Sequence, residues 1–141
     1  MRNNVATLPT TMKKYLFVFS LAVITMPVLL AASDILDNIG NAIRSGNASA
    51  ISQYFDATID LTILEKESIY SRQQAQMVLQ DFFNKNPVSS FSIIHRGSSA
   101  QGSSYGIGKL TAGGQSFRVY YFVKQKGEGY FIQEMRFERQ K

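Results

Sequence analysis

Among the 141 residues of this chain, His95 is the only histidine and the group best suited by type to take a proton near neutral pH. Tyr121 is the one hydroxyl that the strand pattern sets beside it. A base needs an orienting carboxylate, and no acid has a clear inward position. Asp60 alternates with Ile59 and Leu61 and points away from them, and Asp56 sits just before the same strand. A histidine alone on a strand is more often a hydrogen-bonded structural residue than a catalyst. No Ser-His-Asp string, phosphate loop or metal-ligand spacing is present. There is no cysteine, so thiolate metal sites are ruled out, and one histidine leaves little for zinc. No cofactor and no metal are expected.

The formal charge is +5. Setting aside Arg2, Lys13 and Lys14 leaves 12 basic against 10 acidic residues, a net +2. The charge is unevenly spread. Residues 34–81 carry seven acids and three bases, whereas residues 82–141 carry nine bases and three acids. Such asymmetry can mark a charged surface partner, although a solvated surface is the commoner reason. No dense basic stripe with interleaved aromatics occurs, so nucleic acid is not an expected partner.

Met12-Lys13-Lys14 is a short basic start, Tyr15 to Leu30 is free of charge, and Ala31-Ala32-Ser33 closes the run before Asp34. These are the parts of a secretory signal peptide. The apolar run is 16 residues long, short of the roughly 20 that span a bilayer. The sequence therefore predicts a leader over residues 1–33, with Met12 as an alternative start, and one exported domain over residues 34–141. That domain is expected in the periplasm or outside the cell, touching membrane only through its leader before cleavage. Without cysteine it is held by packing alone.

The elements read helix, helix, strand, helix, then an antiparallel meander, the α+β order ααβαβββ. Ser33 can cap a helix to about Arg44, with Ile35, Leu36, Ile39, Ala42 and Ile43 at helical spacing and Gly46 stopping it. Asn47 can cap a short second helix bearing Ile51, Tyr54 and Phe55. Residues 58–64 alternate as a strand, and residues 65–70 form a connector with room for a short strand. Ser71 and Gln74 make a capping box ahead of Ala75, Val78, Leu79, Phe82 and Phe83, and Asn86-Pro87 ends that helix. Strands follow at 90–97, 104–112, 115–126 and 130–138, with turns at Gly113-Gly114 and Gly127-Glu128-Gly129.

Those turns predict a register. Leu110 faces Phe117, Gly108 faces Val119, and Gly106 faces Tyr121. Val123 then faces Gln133, Tyr121 faces Met135, Val119 faces Phe137, His95 faces Gly106, and Ile93 faces Gly108. One face collects Phe91, Ile93, His95, Leu110, Phe117, Val119, Tyr121, Val123, Phe131, Met135 and Phe137, and the helices must cover it. Gly106 and Gly108 leave gaps in that face beside the polar groups of His95, Tyr121 and Gln133. Missing volume near convergent polar groups reads as a ligand pocket, lined by Tyr54, His95, Gly106, Gly108, Tyr121, Gln133 and Met135. Close helix approach or sheet bending is the plainer reading of the two glycines. The opposite face carries Ile94, Tyr105, Ile107, Tyr120, Phe122 and Ile132. That is apolar enough to expect a homodimer through the sheet or a docked envelope protein.

Several strings carry a resemblance: Tyr70-Ser71-Arg72 with Gln74-Ala75 and Asp81-Phe82-Phe83, then residues 91–97, 105–108, 118–120 and 132–138. They are similar to a family of small exported Bacteroidetes proteins classed as a domain of unknown function. The element order resembles the nuclear transport factor 2-like (cystatin-like) fold, which implies a cone of three helices packed on a curved antiparallel sheet. Enzymes of that wider fold seat an Asp or His base in the cone with a Tyr or Asp as oxyanion donor. The resemblance therefore implies two readings. One is an exported noncatalytic module that binds a small ligand or a protein. The other is a small exported enzyme of isomerase or hydrolase type using His95 and Tyr121.

Overall fold

Two helices open the described part of the chain, which in the computed structural model is residues 28–141, with side chains from Ile35 onward. The first, α1 (Val28–Arg44), buries Leu36, Ile39 and Ile43 at the expected spacing. It starts upstream of the predicted Ser33. Gly46 ends it at φ 63°, its N–H donating to the Ile43 carbonyl at 2.9 Å. Most of the predicted leader, residues 1–27, lies outside the described residues, and Ala31–Lys141 forms one compact unit. The second helix, α2 (Ala48–Ser52), is capped by Asn47, whose side chain accepts from the Ala50 N–H.

Next come β1 (Phe55–Ile63) and β2 (Lys66–Ser71), an antiparallel hairpin. The predicted connector is thus a true strand. Ser71 then opens α3 (Arg72–Lys85) with the expected capping box: Gln74 N–H donates to Ser71 Oγ at 3.3 Å, and Ser71 N–H donates to Gln74 Oε1 at 3.2 Å. The chain finishes as β3 (Val88–Ser98), β4 (Ser103–Ala112), β5 (Gln115–Lys126) and β6 (Gly129–Arg139).

All six strands form one sheet in the order β2-β1-β6-β5-β4-β3. Every neighbouring pair is antiparallel except β1 with β6, which run parallel, so the expected all-antiparallel sheet is mixed at that junction. The helices cover one face. On it lie Phe91, Leu110, Phe117, Val119, Tyr121, Val123, Met135 and Phe137, all buried. The α3 pair Phe82 and Phe83 meets this face edge-on, with Phe82 5.3 Å from the Phe117 ring and Phe83 6.0 Å from Phe137. Burying each such side chain contributes about 1.5–3 kcal/mol.

The β4–β5 register is the expected one, set by Gly113 and Gly114 at φ 56° and 73°. Two bulges elsewhere correct the predicted faces. In β3, Ile93 pairs with Gly108 as expected, but His95 pairs with Ile107 and Arg96 with Gly106, so Ile94 is an inserted residue. In β6, Met135 pairs with Tyr121 as expected, but Val123 pairs with Ile132 rather than Gln133. His95 therefore turns to the outer face and is exposed. Ile132 moves the other way, from the predicted outer face to 0% exposure in the core. Phe131, expected inside, pairs with Lys124 and is only half-buried. The physical reason is the same twice. An unbroken ladder would bury an imidazole and an amide without partners, whereas one extra residue releases each of them: in β6 it admits Ile132, and in β3 it sets Arg96 opposite Gly106, where it pairs with Asp37.

Candidate functional site

On the helix-covered face, the two predicted gaps are occupied. A methyl group built on Gly106 would lie 2.4 Å from Cζ of Tyr121, and one on Gly108 would lie 2.2 Å from Cζ of Phe91. The aromatic rings take the volume that the glycines give up, the close-approach reading of a strand glycine. Tyr121 is fully buried and its hydroxyl donates to the Leu36 carbonyl at 3.0 Å, which ties β5 to α1. Burial pushes its phenol well above the ordinary tyrosine range. Met135 is buried in the same core, and Tyr54 is half-buried against it. Gln133 and His95 are not there. Of the seven predicted pocket residues, the fold brings together Gly106, Gly108, Tyr121 and Met135 as packed core. Tyr54 stands at its margin, and His95 and Gln133 face outward. His95 and Tyr121 thus lie on opposite faces of the sheet.

The outer face has its own chemistry. Pairing across the strands gives one level of Ile69, Asp60, Glu134, Phe122, Tyr105 and Gly97, and the next of Glu67, Thr62, Arg136, Tyr120, Ile107 and His95. Ile94 and Tyr105 are 51% and 37% exposed. Ile107, Tyr120 and Phe122 are half-buried around them. Five of the six predicted interface residues are therefore together, and Ile132 is the exception. Tyr105 lies across Gly97, and its ring centroid is 6.1 Å from that of Tyr120. The Arg136 guanidinium sits 5.8 Å from the centre of the Tyr120 ring and is ion-paired with Glu134, whose buried Oε1 makes no hydrogen bond of good geometry. Desolvation, then the Glu134 charge, raises the Tyr120 phenol.

Beside this strip, a shallow cleft of about 320 Å³ is lined by Asp56, Thr58, Asp60, Ile69, Lys126 and Gln133. Lys126 Nζ donates to Asp56 Oδ2 at 2.5 Å, and Gln133 Nε2 donates to the same oxygen at 3.2 Å. The Lys126 hydrogen bond, ahead of the burial that opposes it, holds the Asp56 carboxyl below the ordinary range. Asp60 Oδ1 is buried without a hydrogen-bond partner. The sequence pattern had already turned Asp60 away from Ile59 and Leu61. Only the parallel β1–β6 pairing, which no local signal announces, sets it directly opposite Glu134. Among the described residues no group of three His, Asp or Glu is placed to hold a metal ion, and no helix is long and apolar enough to cross a membrane.

Comparison with known proteins fits this architecture. A family model described as a domain of unknown function (DUF4783) matches residues 36–138. A DUF4783 protein from Bacteroides uniformis is similar at 26% identity and a TM-score of 0.71, covering 74% of this chain and 96% of that one. Another from Bacteroides ovatus is similar at 29% identity and a TM-score of 0.70, covering 74% and 94%. A nuclear transport factor 2-like protein of unknown function from Silicibacter pomeroyi shares the fold at 12% identity and a TM-score of 0.58, covering 82% and 100%. No curated protein matches the chain. The fold is α+β and nuclear transport factor 2-like, and the chain belongs to the DUF4783 family, a domain of unknown function.

Proposed function

We propose that this protein is an exported, noncatalytic binding module whose working surface is the outer face of the sheet and whose partner is a protein. One contrast carries the reading. The interior beneath the helices is filled by Tyr121 and Phe91 at the two glycines, whereas the outer face leaves Ile94 and Tyr105 exposed among Ile107, Tyr120 and Phe122. Aromatic side chains and an arginine clustered on a face with a polar margin are the composition of protein interfaces. Small molecules, by contrast, bind in concave apolar pockets.

A photo-crosslinking residue placed at Ile107 in the producing cell tests this, with Gln80 on the exposed side of α3 as the control position. Protein adducts are expected from position 107 and not from position 80. Adducts from neither position, or equally from both, refute the docking surface. N-terminal sequencing of the same material is expected to start near Ser33 or Asp34, and an intact leader on the protein would refute the export half of the proposal.

A further inference from the structure

The cleft beside the aromatic strip holds an acceptor that nothing in the chain serves. It lies at the mixed junction of the sheet, where Asp60 of β1 stands directly opposite Glu134 of β6. Glu134 is ion-paired with Arg136 and Asp56 with Lys126, whereas Asp60 has no ion pair among the described residues. Asp60 Oδ1 is closed off from solvent and accepts no hydrogen bond. Such an oxygen is costly to leave unserved, and native proteins keep few of them. Across the β1–β2 pairing from Asp60 is Ile69, 73% exposed on the edge strand. A large aliphatic side chain so bare gives the acid an apolar wall that solvent can reach.

We infer that this cleft receives a guanidinium on an aliphatic stem, the arginine side chain of a docked protein, an inference that rests on the reading of the outer face as a protein-docking surface. The chain supplies its own example. Lys126, likewise a cation on an aliphatic stem, lays its ammonium on Asp56 at 2.5 Å, where Gln133 also donates. That end of the cleft is satisfied, and the want of a donor is at Asp60. Its terminal torsion is soft and a half-turn exchanges the two carboxylate oxygens, so a donor entering the cleft reaches the acceptor. A guanidinium suits it better than an ammonium. It is more weakly hydrated, and its planar fork can serve Asp60 and the hydroxyl of Thr58, which alternation puts on the same side of β1. Long cationic side chains lay their stems along apolar surface and keep the head at polar groups, the arrangement that Ile69 beside Asp60 offers. The charge favours a cation, since Asp56, Asp60 and Glu134 outnumber Lys126 and Arg136 there. A volume of about 320 Å³ is small among ligand pockets, which run from about 300 to 1,000 Å³, and fits one side chain better than a drug-sized molecule.

Titration of the purified protein with butylguanidine at low salt, followed by amide-resolved NMR, tests the inference. Shifts are expected at Thr58, Asp60, Ile69, Lys126 and Gln133 and not at Gln80 on α3. Butylurea, of the same shape but uncharged, should produce none. Asp60→Asn should weaken butylguanidine binding by at least about tenfold. It should not lower the melting temperature, because the carboxylate oxygen it replaces holds nothing in the chain. Ile69→Ser, a change at an exposed position, should weaken binding as well and serves if the first variant does not fold. The absence of shifts, equal shifts from butylurea, or an affinity indifferent to both variants overturns the inference. Photo-crosslinking at position 107 separates it from the reading on which it rests. Adducts that fall on Asp60→Asn support the arginine, whereas adducts unchanged by it remove the arginine and leave the docking surface standing. Butylguanidine binding by a protein that gives no adducts refutes the docked protein and leaves the cleft with a free guanidine as its ligand.

Discussion

Replacing Gly106 by Ala is the sharpest test of a closed interior. The new methyl would lie 2.4 Å from Cζ, 2.6 Å from the hydroxyl oxygen and 2.9 Å from Cε1 of Tyr121, where carbon contacts settle at about 3.5–4.0 Å. The ring must shift by about 1 Å in a core with no slack. Forced repacking of that kind costs about 1–3 kcal/mol. Moving the phenol also breaks its 3.0 Å bond to the Leu36 carbonyl and strands the buried hydroxyl, a further cost of about 1–3 kcal/mol. Together these give about 2–6 kcal/mol, a large part of the roughly 5–15 kcal/mol that holds a domain. Urea unfolding followed by far-ultraviolet circular dichroism, at one fixed protein concentration, reads this as a lower midpoint with an unchanged slope. The melting temperature should fall by about 4 °C per kcal/mol for a domain of this size. Tyr121→Phe alone removes only the hydroxyl and should cost about 1–2 kcal/mol. In that background Gly106→Ala should cost less than it does alone, because the two share one contact. A Gly106→Ala protein as stable as wild type would mean open space beside the glycine and a hollow cone, and the case for the outer face would lose its premise.

Two further outcomes follow from the bulges and the ion pairs. Ile132→Ala should cost about 2–5 kcal/mol as a core truncation, and Ile94→Ala should stay within about 0.5 kcal/mol as a surface change. Equal or reversed costs in urea melts would return β6 to the unbroken register. Asp37, through its hydrogen bond from Arg96, and Asp56, through that from Lys126, titrate below their ordinary 3.8. Because the unfolded chain takes up protons first, their stabilisation is complete above that value and drains away as pH falls below about 4. A stability profile from about pH 6 to about pH 2 should show the loss, and Lys126→Met should flatten part of it. A profile unaltered by Lys126→Met would disprove the link.

The elements were legible because each carried its own punctuation: Gly46 after α1, the Ser71–Gln74 box before α3, Asn86-Pro87 after it, and the glycine pair at 113–114. Those glycines alone set three correct pairings in β4–β5. The predicted faces failed where register changes without punctuation. Neither Ile94 nor Gln133 is a residue type that marks a bulge, and each bulge exists to serve the far side of the sheet. A clue was nonetheless present. His95 and Gln133 were two polar residues assigned to an apolar face, and a polar residue at a core position signals that the strand has slipped. The cleft at Asp56, Asp60 and Lys126 could not be assembled locally, since it depends on β6 lying beside β1. No helical or hairpin signal encodes that neighbour.

That parallel junction also governs when the fold can close. β1 sits between β2, made directly after it, and β6, made last of the strands. Until β6 arrives, one whole ladder of β1 lacks its complement and the α3 aromatics lack Phe137. Contacts so distant along the chain form late, because a long loop must be closed before they yield any energy. Ribosomal synthesis thus withholds the strand that completes the β1 ladder until all the other strands have been made.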